Sequence, residues 1–262
     1  MSQQPIVLFD SGVGGTSILK ELVNLLPNED FIYLADSKNA PYGEKSAEDI
    51  IQLSIKNTEL ALSLNAKLIV VACNTATTNA IDYLRSHYDL PFIGIEPAIK
   101  PAASNSEVKR IGILATKGTL TSELFKKTSE SYAQHINVIE VVGKGIVEAV
   151  EGGWTTDDNF IKDLETQLRP FVDQPIDYLV LGCTHYPYII PQLQSLLPAH
   201  VNIIDSGRAV AKQTQAVLEK RHITKDSLTK GKVQIYTNVD NSSHIETLLA
   251  TLKDINVEKK DF

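Results

Sequence analysis

The sequence predicts an α/β fold with two pseudo-symmetric three-layer domains, mostly parallel sheets, and a functional site at the domain interface. Three observations support this fold class. Apolar β-branched runs alternate with segments of helical spacing, four strand candidates recur in order in the second half, and two matched strands end at the only cysteines. Continuous apolar runs of this kind are typical of buried parallel strands.

The four repeated strand candidates keep nearly the same separation along the chain. Each pair is offset by 105 to 110 residues, a drift that loop insertions explain. The pairs are Ile6–Phe9 with Ile111–Leu114, Phe31–Leu34 with Val138–Val141, Leu68–Val71 with Tyr178–Leu181, and Phe92–Ile95 with Val201–Ile204. We therefore predict a first domain of residues 1–96 plus 208–262 and a second domain of residues 97–207.

The first strand candidate runs into a glycine-rich turn in the segment FDSGVGGTSILKEL. Gly12, Gly14 and Gly15 permit close backbone approach, and the N–H groups of such a turn suit an anion. A nicotinamide enzyme fits the fold class but not this spacing, because Ser17 stands where the third fingerprint glycine would be. The following helix is marked by the apolar residues Ile18, Leu19 and Leu22.

The second strand candidate leads to YLADSKNAPYGEKS, in which Pro41, Tyr42 and Gly43 form a turn. Tyr42 either closes over a ligand or covers the core, and turn chemistry alone does not distinguish these roles. In the second half, ILATKGTLTSELF offers hydroxyl groups, and VGKGIVEAVEGG places Glu148 and Glu151 one helical turn apart. Hydroxyls and backbone amides from both halves suit a small zwitterion with two carboxylates.

The two cysteines occupy matching places, Cys73 in LIVVACNTATT and Cys183 in YLVLGCTHYP. Each follows a strand where a helix opens, which is where open α/β sheets bind ligands and where a helix N-terminus favours a thiolate. A structural disulfide is not expected in a reducing compartment. The alternative to a functional pair of thiols is that both cysteines are buried and inert. The spacing of a committed metal site is absent around Cys73, Cys183 and His185, so we expect no metal.

Composition indicates an ordinary folded enzyme-sized chain. Its 262 residues are 43% hydrophobic and 22% charged, with a net charge of −7. The negative charge and the lack of a basic patch speak against nucleic-acid binding. We expect no membrane span and no export leader, and therefore a cytoplasmic location. After Arg208, a helical pattern at Val210, Thr214, Val217 and Leu218 and a strand candidate Val233–Tyr236 are expected to pack on the first domain.

Five motifs in order resemble those of the glutamate racemases, in the aspartate/glutamate racemase family: DSGVGG, PYG, ACNTAT, VEGG and LGCTHYP. The resemblance covers essentially the whole chain. It implies a cofactor-independent isomerase that interconverts L- and D-glutamate and supplies D-glutamate for peptidoglycan, and so for the cell wall and cell shape. It also implies a homodimer whose small-molecule partner is glutamate.

The resemblance also assigns roles to residues. Inversion at Cα needs a base on one face and an acid on the other, and Cys73 and Cys183 supply that pair. By the same resemblance Cys183 takes the proton from L-glutamate and Cys73 takes it from D-glutamate. Asp10 assists Cys73, while Glu151 and His185 assist Cys183. The implied substrate-binding residues are Asp10, Ser11, Tyr42, Gly43, Asn74, Thr75, Thr116, Thr184 and His185, of which Asn74 and Thr75 also suit helix N-caps.

Two alternatives remain open at the level of sequence. The pocket for the side-chain carboxylate is poorly defined by the motifs, so an aspartate racemase, or another amino-acid racemase of the same family, is the closest competitor. A two-domain amino-acid binding protein would explain the architecture and the hydroxyl-rich loops. Such a protein would not need paired thiols and would normally carry an export signal.

Overall fold

Two parallel sheets organise the computed structural model, which describes residues 3–132 and 135–262. The strands within these ranges are β1 Ile6–Asp10, β2 Phe31–Ala35, β3 Leu68–Val71, β4 Phe92–Gly94, β5 Arg110–Ala115, β6 Asn137–Val142, β7 Tyr178–Gly182, β8 Asn202–Ile204, β9 Val233–Thr237 and β10 Ile255–Lys259. The larger sheet has the order β10-β9-β2-β1-β3-β4 and the smaller one has the order β6-β5-β7-β8.

The predicted repeat is confirmed by this topology. The order β2-β1-β3-β4 in the larger sheet is reproduced as β6-β5-β7-β8 in the smaller one, and every observed pairing between neighbouring strands is parallel. Matching strands therefore end at matching places in each sheet. The two-domain α/β fold class is confirmed, whereas the boundaries at residues 96/97 and 207/208 stay a prediction.

Helices cover both sheets and explain the apolar character of their central strands. The helices of the described ranges are α1 Thr16–Leu25, α2 Ala47–Ser63, α3 Asn74–His87, α4 Ile99–Asn105, α5 Lys117–Leu120, α6 Glu123–Tyr132, α7 Ile146–Gly152, α8 Asp158–Asp173, α9 Ile190–Leu196, α10 Gly207–Arg221 and α11 Ser242–Leu248. Short 3₁₀ turns occupy Ser37–Asn39, Tyr42–Glu44 and Tyr186–Ile189. Every residue of β1 and β3 is buried, as expected for strands covered on both faces.

The C-terminal segment joins the larger sheet, as the sequence predicts. Helix α10 packs on α1, and β9 pairs with β2 in parallel. The sequence analysis missed α11 and β10, which follow β9. Strand β10 is an edge strand of mostly half-buried and exposed residues with the sequence INVEK, so it lacks the apolar run that marks the central strands.

None of the helices in residues 3–132 and 135–262 combines the length and apolar character that crossing a membrane requires.

Candidate active site

The two cysteines lie where matching strands end, and both border one cavity between the domains. Cys73 follows β3 and is itself the N-cap of α3, with its Sγ accepting a hydrogen bond from the N–H of Ala76 at 3.4 Å. The expected N-cap role of Asn74 and Thr75 is therefore wrong, because both already lie inside the helix. Cys183 follows β7 but precedes a 3₁₀ turn rather than an α-helix.

Most of the predicted substrate-binding residues line this cavity. Its volume is about 10 Å³, which is space for about one water molecule. The lining residues are Ser11, Pro41, Tyr42, Gly43, Cys73, Asn74, Thr75, Thr116, Val147, Cys183, Thr184 and His185. Sequence reasoning missed Val147, which lies on α7 in the segment VGKGIVEAVEGG and carries no polar signal. An amino acid needs far more room, so this is a closed state of the site.

Cys183 begins a chain of polar contacts that ends at Glu151. Its Sγ lies 3.7 Å from Nδ1 of His185, and Nε2 of His185 lies 2.6 Å from Oε1 of Glu151. Burial by itself would lower the pKa of His185, but its hydrogen bonds with Cys183 and Glu151 outweigh burial and raise that pKa well above its ordinary value. A protonated His185 places a positive charge directly beside the sulfur.

The carboxylate of Glu151 crosses the domain interface. Besides His185, its Oε1 accepts a hydrogen bond from the N–H of Val13 at 2.6 Å, and its Oε2 accepts one from Oγ of Ser37 at 3.3 Å. In the same turn the N–H of Gly15 donates to Oδ2 of Asp10 at 2.9 Å. The expectation that the glycine-rich turn offers its N–H groups to an anionic ligand is therefore wrong at these two positions, because the protein's own carboxylates occupy them.

Close packing explains two glycines of this turn. A Cβ on Gly12 would overlap the carboxylate of Glu151, and a Cβ on Gly14 would overlap the imidazole ring of His185. The turn therefore needs glycine so that the two domains can approach each other at the Glu151–His185 pair.

Asp10 lies behind the cavity rather than on its wall. The residue is fully buried, and Oγ1 of Thr184 lies 3.4 Å from its Oδ1 across the interface. Burial raises the pKa of Asp10, while His185 and the N–H of Gly15 act in the opposite direction. Asp10 acts on Cys73 through its charge, whereas the sulfur's side-chain hydrogen-bond partner is Oγ of Ser11 at 3.7 Å.

A helix N-terminus by itself favours a thiolate at Cys73, whereas the closed structure favours the thiol. Burial and the nearby charge of Asp10 raise the pKa of Cys73 well above its ordinary value, and the N–H of Ala76 only partly opposes them. Desolvation disfavours a charged sulfur more than one helix N-terminus favours it.

The cavity wall carries polar groups without protein partners. Both Oδ1 and Nδ2 of Asn74 are buried and unpaired among the described residues, although the side chain borders the cavity. Next to it in the chain, Thr75 has its Oγ1 2.9 Å from Oγ1 of Thr116, which joins the two domains through hydroxyl groups. Buried unpaired amides are costly unless a ligand or water satisfies them.

The turn at residues 41–44 closes the remaining side of the cavity. Gly43 packs so tightly on Thr116 that an added Cβ would lie 2.9 Å from the Cβ of Thr116. The hydroxyl of Tyr42 donates to Oδ2 of Asp36 at 2.6 Å, and Asp36 is fully buried. Sequence reasoning missed Asp36, although it is a lone acidic residue at the end of a buried strand.

Among the described residues no group of three or more His, Cys, Asp or Glu side chains is arranged to hold a metal ion.

Comparison with known proteins places this geometry in a family. Residues 9–214 match the model of the Asp/Glu/Hydantoin racemase family. The chain belongs to this family. A glutamate racemase of Clostridium perfringens is 40% identical over 247 residues, which cover 94% of this chain and 95% of the relative. One from Ectopseudomonas mendocina is 45% identical over 223 residues, 85% of each chain.

Solved structures of this racemase family share the whole fold. The glutamate racemase isoform RacE1 from Bacillus anthracis has a TM-score of 0.89 at 28% identity and covers 100% of this chain and 99% of its own. The Escherichia coli glutamate racemase, solved with L-glutamate and an activator, has a TM-score of 0.85 at 33% identity with 98% of each chain covered. The Picrophilus torridus aspartate racemase shares only the fold, with a TM-score of 0.57 at 17% identity and coverage of 84% and 94%.

Proposed function

We propose that this chain interconverts L- and D-glutamate by transferring protons between Cα of the substrate and two thiols, without a cofactor. The observation that carries the proposal is that Cys73 and Cys183, from matching strands of the two domains, border one cavity. The names of the similar proteins support glutamate as the substrate.

The side of Cys183 is arranged to act as the base. Protonated His185, held by Glu151, lies beside the sulfur and provides the positive charge that a thiolate needs. In the direction from L-glutamate, Cys183 takes the α-proton and its sulfur becomes a thiol. The electron pair of the broken C–H bond stays on the substrate until the opposite face is protonated.

The side of Cys73 is arranged to act as the acid in the same direction. Its raised pKa keeps the sulfur protonated, so it can deliver a proton to the opposite face of Cα and become a thiolate. A protonated Cys73 is what the proposed reaction from L-glutamate requires on this side of the substrate. Once Cys73 has given up its proton, the enzyme is in the form that accepts D-glutamate, and the two roles are exchanged.

Substrate entry requires the domains to separate. The cavity of about 10 Å³ is too small for glutamate, and direct contacts between Thr75 and Thr116 and between Glu151 and Val13 hold the halves together. In the bound state we place the unpaired amide of Asn74 and the hydroxyls of Ser11, Thr75 and Thr184 on the substrate's carboxylates and ammonium group.

The decisive experiment is to incubate the purified protein with L-glutamate and follow the loss of optical rotation, with L-aspartate in parallel. Loss of optical rotation with glutamate alone supports the proposal. Loss of optical rotation with aspartate alone would identify the chain as an aspartate racemase. Repeating the reaction in D₂O tests for deuterium at Cα of the product. Tight glutamate binding with neither change would identify a binding protein and refute the proposal.

Cofactor independence is tested separately. Activity is expected to survive exhaustive dialysis against chelators and treatment with carbonyl reagents that trap pyridoxal phosphate. Activity that disappears and returns with zinc or pyridoxal phosphate would contradict a mechanism that uses only the two thiols.

The resemblance to glutamate racemases supports three further proposals about the same activity. We propose that its D-glutamate enters peptidoglycan synthesis, that the enzyme is cytoplasmic, and that it acts as a homodimer.

A further inference from the structure

Helix α11 of the first domain contacts the end of the helix that carries Glu151. Nε2 of His244 lies 2.6 Å from the carbonyl oxygen of Val150, so this nitrogen carries the hydrogen and donates it. Val150 precedes Glu151 in the last turn of α7, and its carbonyl oxygen also accepts a hydrogen bond from the N–H of the C-cap residue Gly153 at 3.3 Å. His244 therefore fixes the main chain next to the carboxylate that holds His185.

Packing around this contact is close. The ring of His244 lies against Gly153, whose φ of +72° ends α7, and an added Cβ there would lie 3.3 Å from Cε1 of the imidazole. The next residue, Ile245, is fully buried, so α11 is anchored in the core. These contacts give the imidazole a defined position.

A second contact from the same segment reaches the carboxylate itself. Asn241, the residue before α11, lies with its Nδ2 3.4 Å from Oγ of Ser37, and that hydroxyl lies 3.3 Å from Oε2 of Glu151. Residues of the C-terminal segment thus approach Glu151 twice, once through its main chain and once through Ser37. Neither contact touches the cavity.

We infer that His244 is a positioning residue for the Cys183 half of the reaction, acting through Val150 and Glu151 on His185. The inference rests on the proposed racemase function. Its physical basis is that the rate of a proton transfer depends on sub-ångström placement of the base. The Cys183–His185–Glu151 chain is held at its Glu151 end by contacts across the interface, so a shift of Glu151 changes the position of His185 beside the sulfur.

Isotope effects distinguish this role from a general structural one. The equilibrium constant between enantiomers is one, so kcat/KM must fall equally in both directions in any variant. If only the Cys183 step slows, the isotope effect with α-deuterated L-glutamate rises, because that step breaks its C–D bond and limits the rate more. The effect with α-deuterated D-glutamate falls, because Cys73 then breaks the C–D bond in a faster step.

The experiment compares His244→Ala, His244→Gln and Glu151→Gln with the wild-type chain. We expect His244→Ala to lower kcat/KM about three- to tenfold, the range for one lost hydrogen bond, and to shift the two isotope effects in opposite directions, as Glu151→Gln does. In His244→Gln the amide nitrogen can replace Nε2 as donor, so activity and isotope effects should return toward wild type. His200→Ala, an exposed histidine before β8, is the matched control.

The outcomes separate the two proposals. An inactive wild-type chain refutes the proposed function. An active wild type with unchanged isotope effects in His244→Ala overturns the positioning role, and so does a folded His244→Gln that shows the same loss without any shift in isotope effects. If His244→Ala does not fold, His244→Gln is compared with His244→Leu instead. Wild-type activity and isotope effects in His244→Gln, together with shifted isotope effects in His244→Leu, support the positioning role. Equal isotope effects in the two variants overturn it.

Discussion

Cys73 and Cys183 occupy matching positions in the repeat, yet their polar neighbours differ. Cys183 has the imidazole of His185 beside it, whereas Cys73 has Ser11 and lies near the buried carboxylate of Asp10. The same residue type in the same place of two domains therefore has different polar surroundings, and at Cys73 burial and the charge of Asp10 raise the pKa of the thiol. Part of this difference is local, since His185 follows Cys183 by two residues whereas Cys73 is followed by Asn74 and Thr75. The rest comes from Ser11 and Asp10, which the fold brings to Cys73.

Removing either thiol should stop racemisation. We expect Cys73→Ala and Cys183→Ala each to lower kcat by about 10³-fold or more, because a two-base inversion cannot finish with one proton carrier missing. Optical rotation with L-glutamate and with D-glutamate measures the loss, and circular dichroism checks the fold. Near wild-type turnover in either variant would overturn the two-thiol mechanism.

The buried carboxylate of Asp10 should lower the free energy of unfolding at neutral pH, although it serves the reaction. Its pKa is raised by burial, so the folded chain holds this proton more tightly than the unfolded chain does. As pH rises above about 3.8 the unfolded state loses the proton first, and the free energy of unfolding falls until the folded pKa is passed.

We therefore expect Asp10→Asn to raise the free energy of unfolding by about 0.5–2 kcal/mol at neutral pH while it lowers racemisation. The gain over wild type should be absent near pH 3 and grow as pH rises. Urea titrations at several pH values measure it. A gain that shrinks with rising pH would show that the Asp10 carboxylate is stabilised, not strained, in the fold.

At the level of elements, the turn at residues 41–44 depends on a polar centre beneath it. The carboxylate of Asp36 accepts from the hydroxyl of Tyr42 and from Nδ2 of Asn39, and it pairs with Nζ of Lys56 at 3.2 Å. Nδ2 of Asn238, which follows β9, reaches the same carboxylate at 2.5 Å. One buried side chain thus connects the turn to α2 and to the C-terminal segment.

Replacing Asp36 should therefore loosen the turn. We expect Asp36→Ala to raise KM for glutamate about three- to tenfold and to lower the free energy of unfolding by about 1–3 kcal/mol, because several buried donors lose their acceptor. Asp49→Asn, an exposed carboxylate that accepts from Ser46 at the start of α2, is the control and should leave KM unchanged and cost at most about 1 kcal/mol. An unchanged KM in a destabilised Asp36→Ala would make this centre purely structural.

At the level of the whole molecule, a buried ion pair fastens the C-terminal segment to the first domain. Nζ of Lys67 lies 2.5 Å from Oε2 of Glu29, and the exposed fractions of these side chains are 1% and 3%. Glu29 also accepts from the N–H of Lys225, and Lys67 donates to the carbonyl of Ile223. The loop between α10 and β9 is held at this point.

Breaking this pair should destabilise the fold without affecting the chemistry. We expect Glu29→Gln to lower the free energy of unfolding by about 3–5 kcal/mol, because it removes the carboxylate charge from a buried ion pair. Asp254→Asn removes the exposed partner of Lys230 and should cost at most about 1 kcal/mol. Denaturant unfolding measures both, and equal small losses would show that solvent reaches the Glu29 pair.

The sequence by itself determined the fold class, the repeat and the thiols. Buried parallel strands are covered on both faces, so β1, β3, β5 and β7 appear as apolar runs that can be recognised locally. Because matching strands recur at nearly constant offsets, the two cysteines could be placed at corresponding strand ends before any coordinates were considered. Strand β10 escaped prediction because an edge strand needs no such apolar run.

Only the tertiary structure decided which groups meet at the site. The N–H groups of the glycine-rich turn are bound by Glu151 and Asp10, the carboxylate of Glu151 holds His185, and His244 supports the helix that ends there. Apart from the bond between Gly15 and Asp10, these contacts join residues that are far apart in the sequence. Hydrophobic periodicity reports only which face of an element is buried. The raised pKa of Cys73 likewise depends on burial and on the charge of Asp10, which only the folded structure supplies.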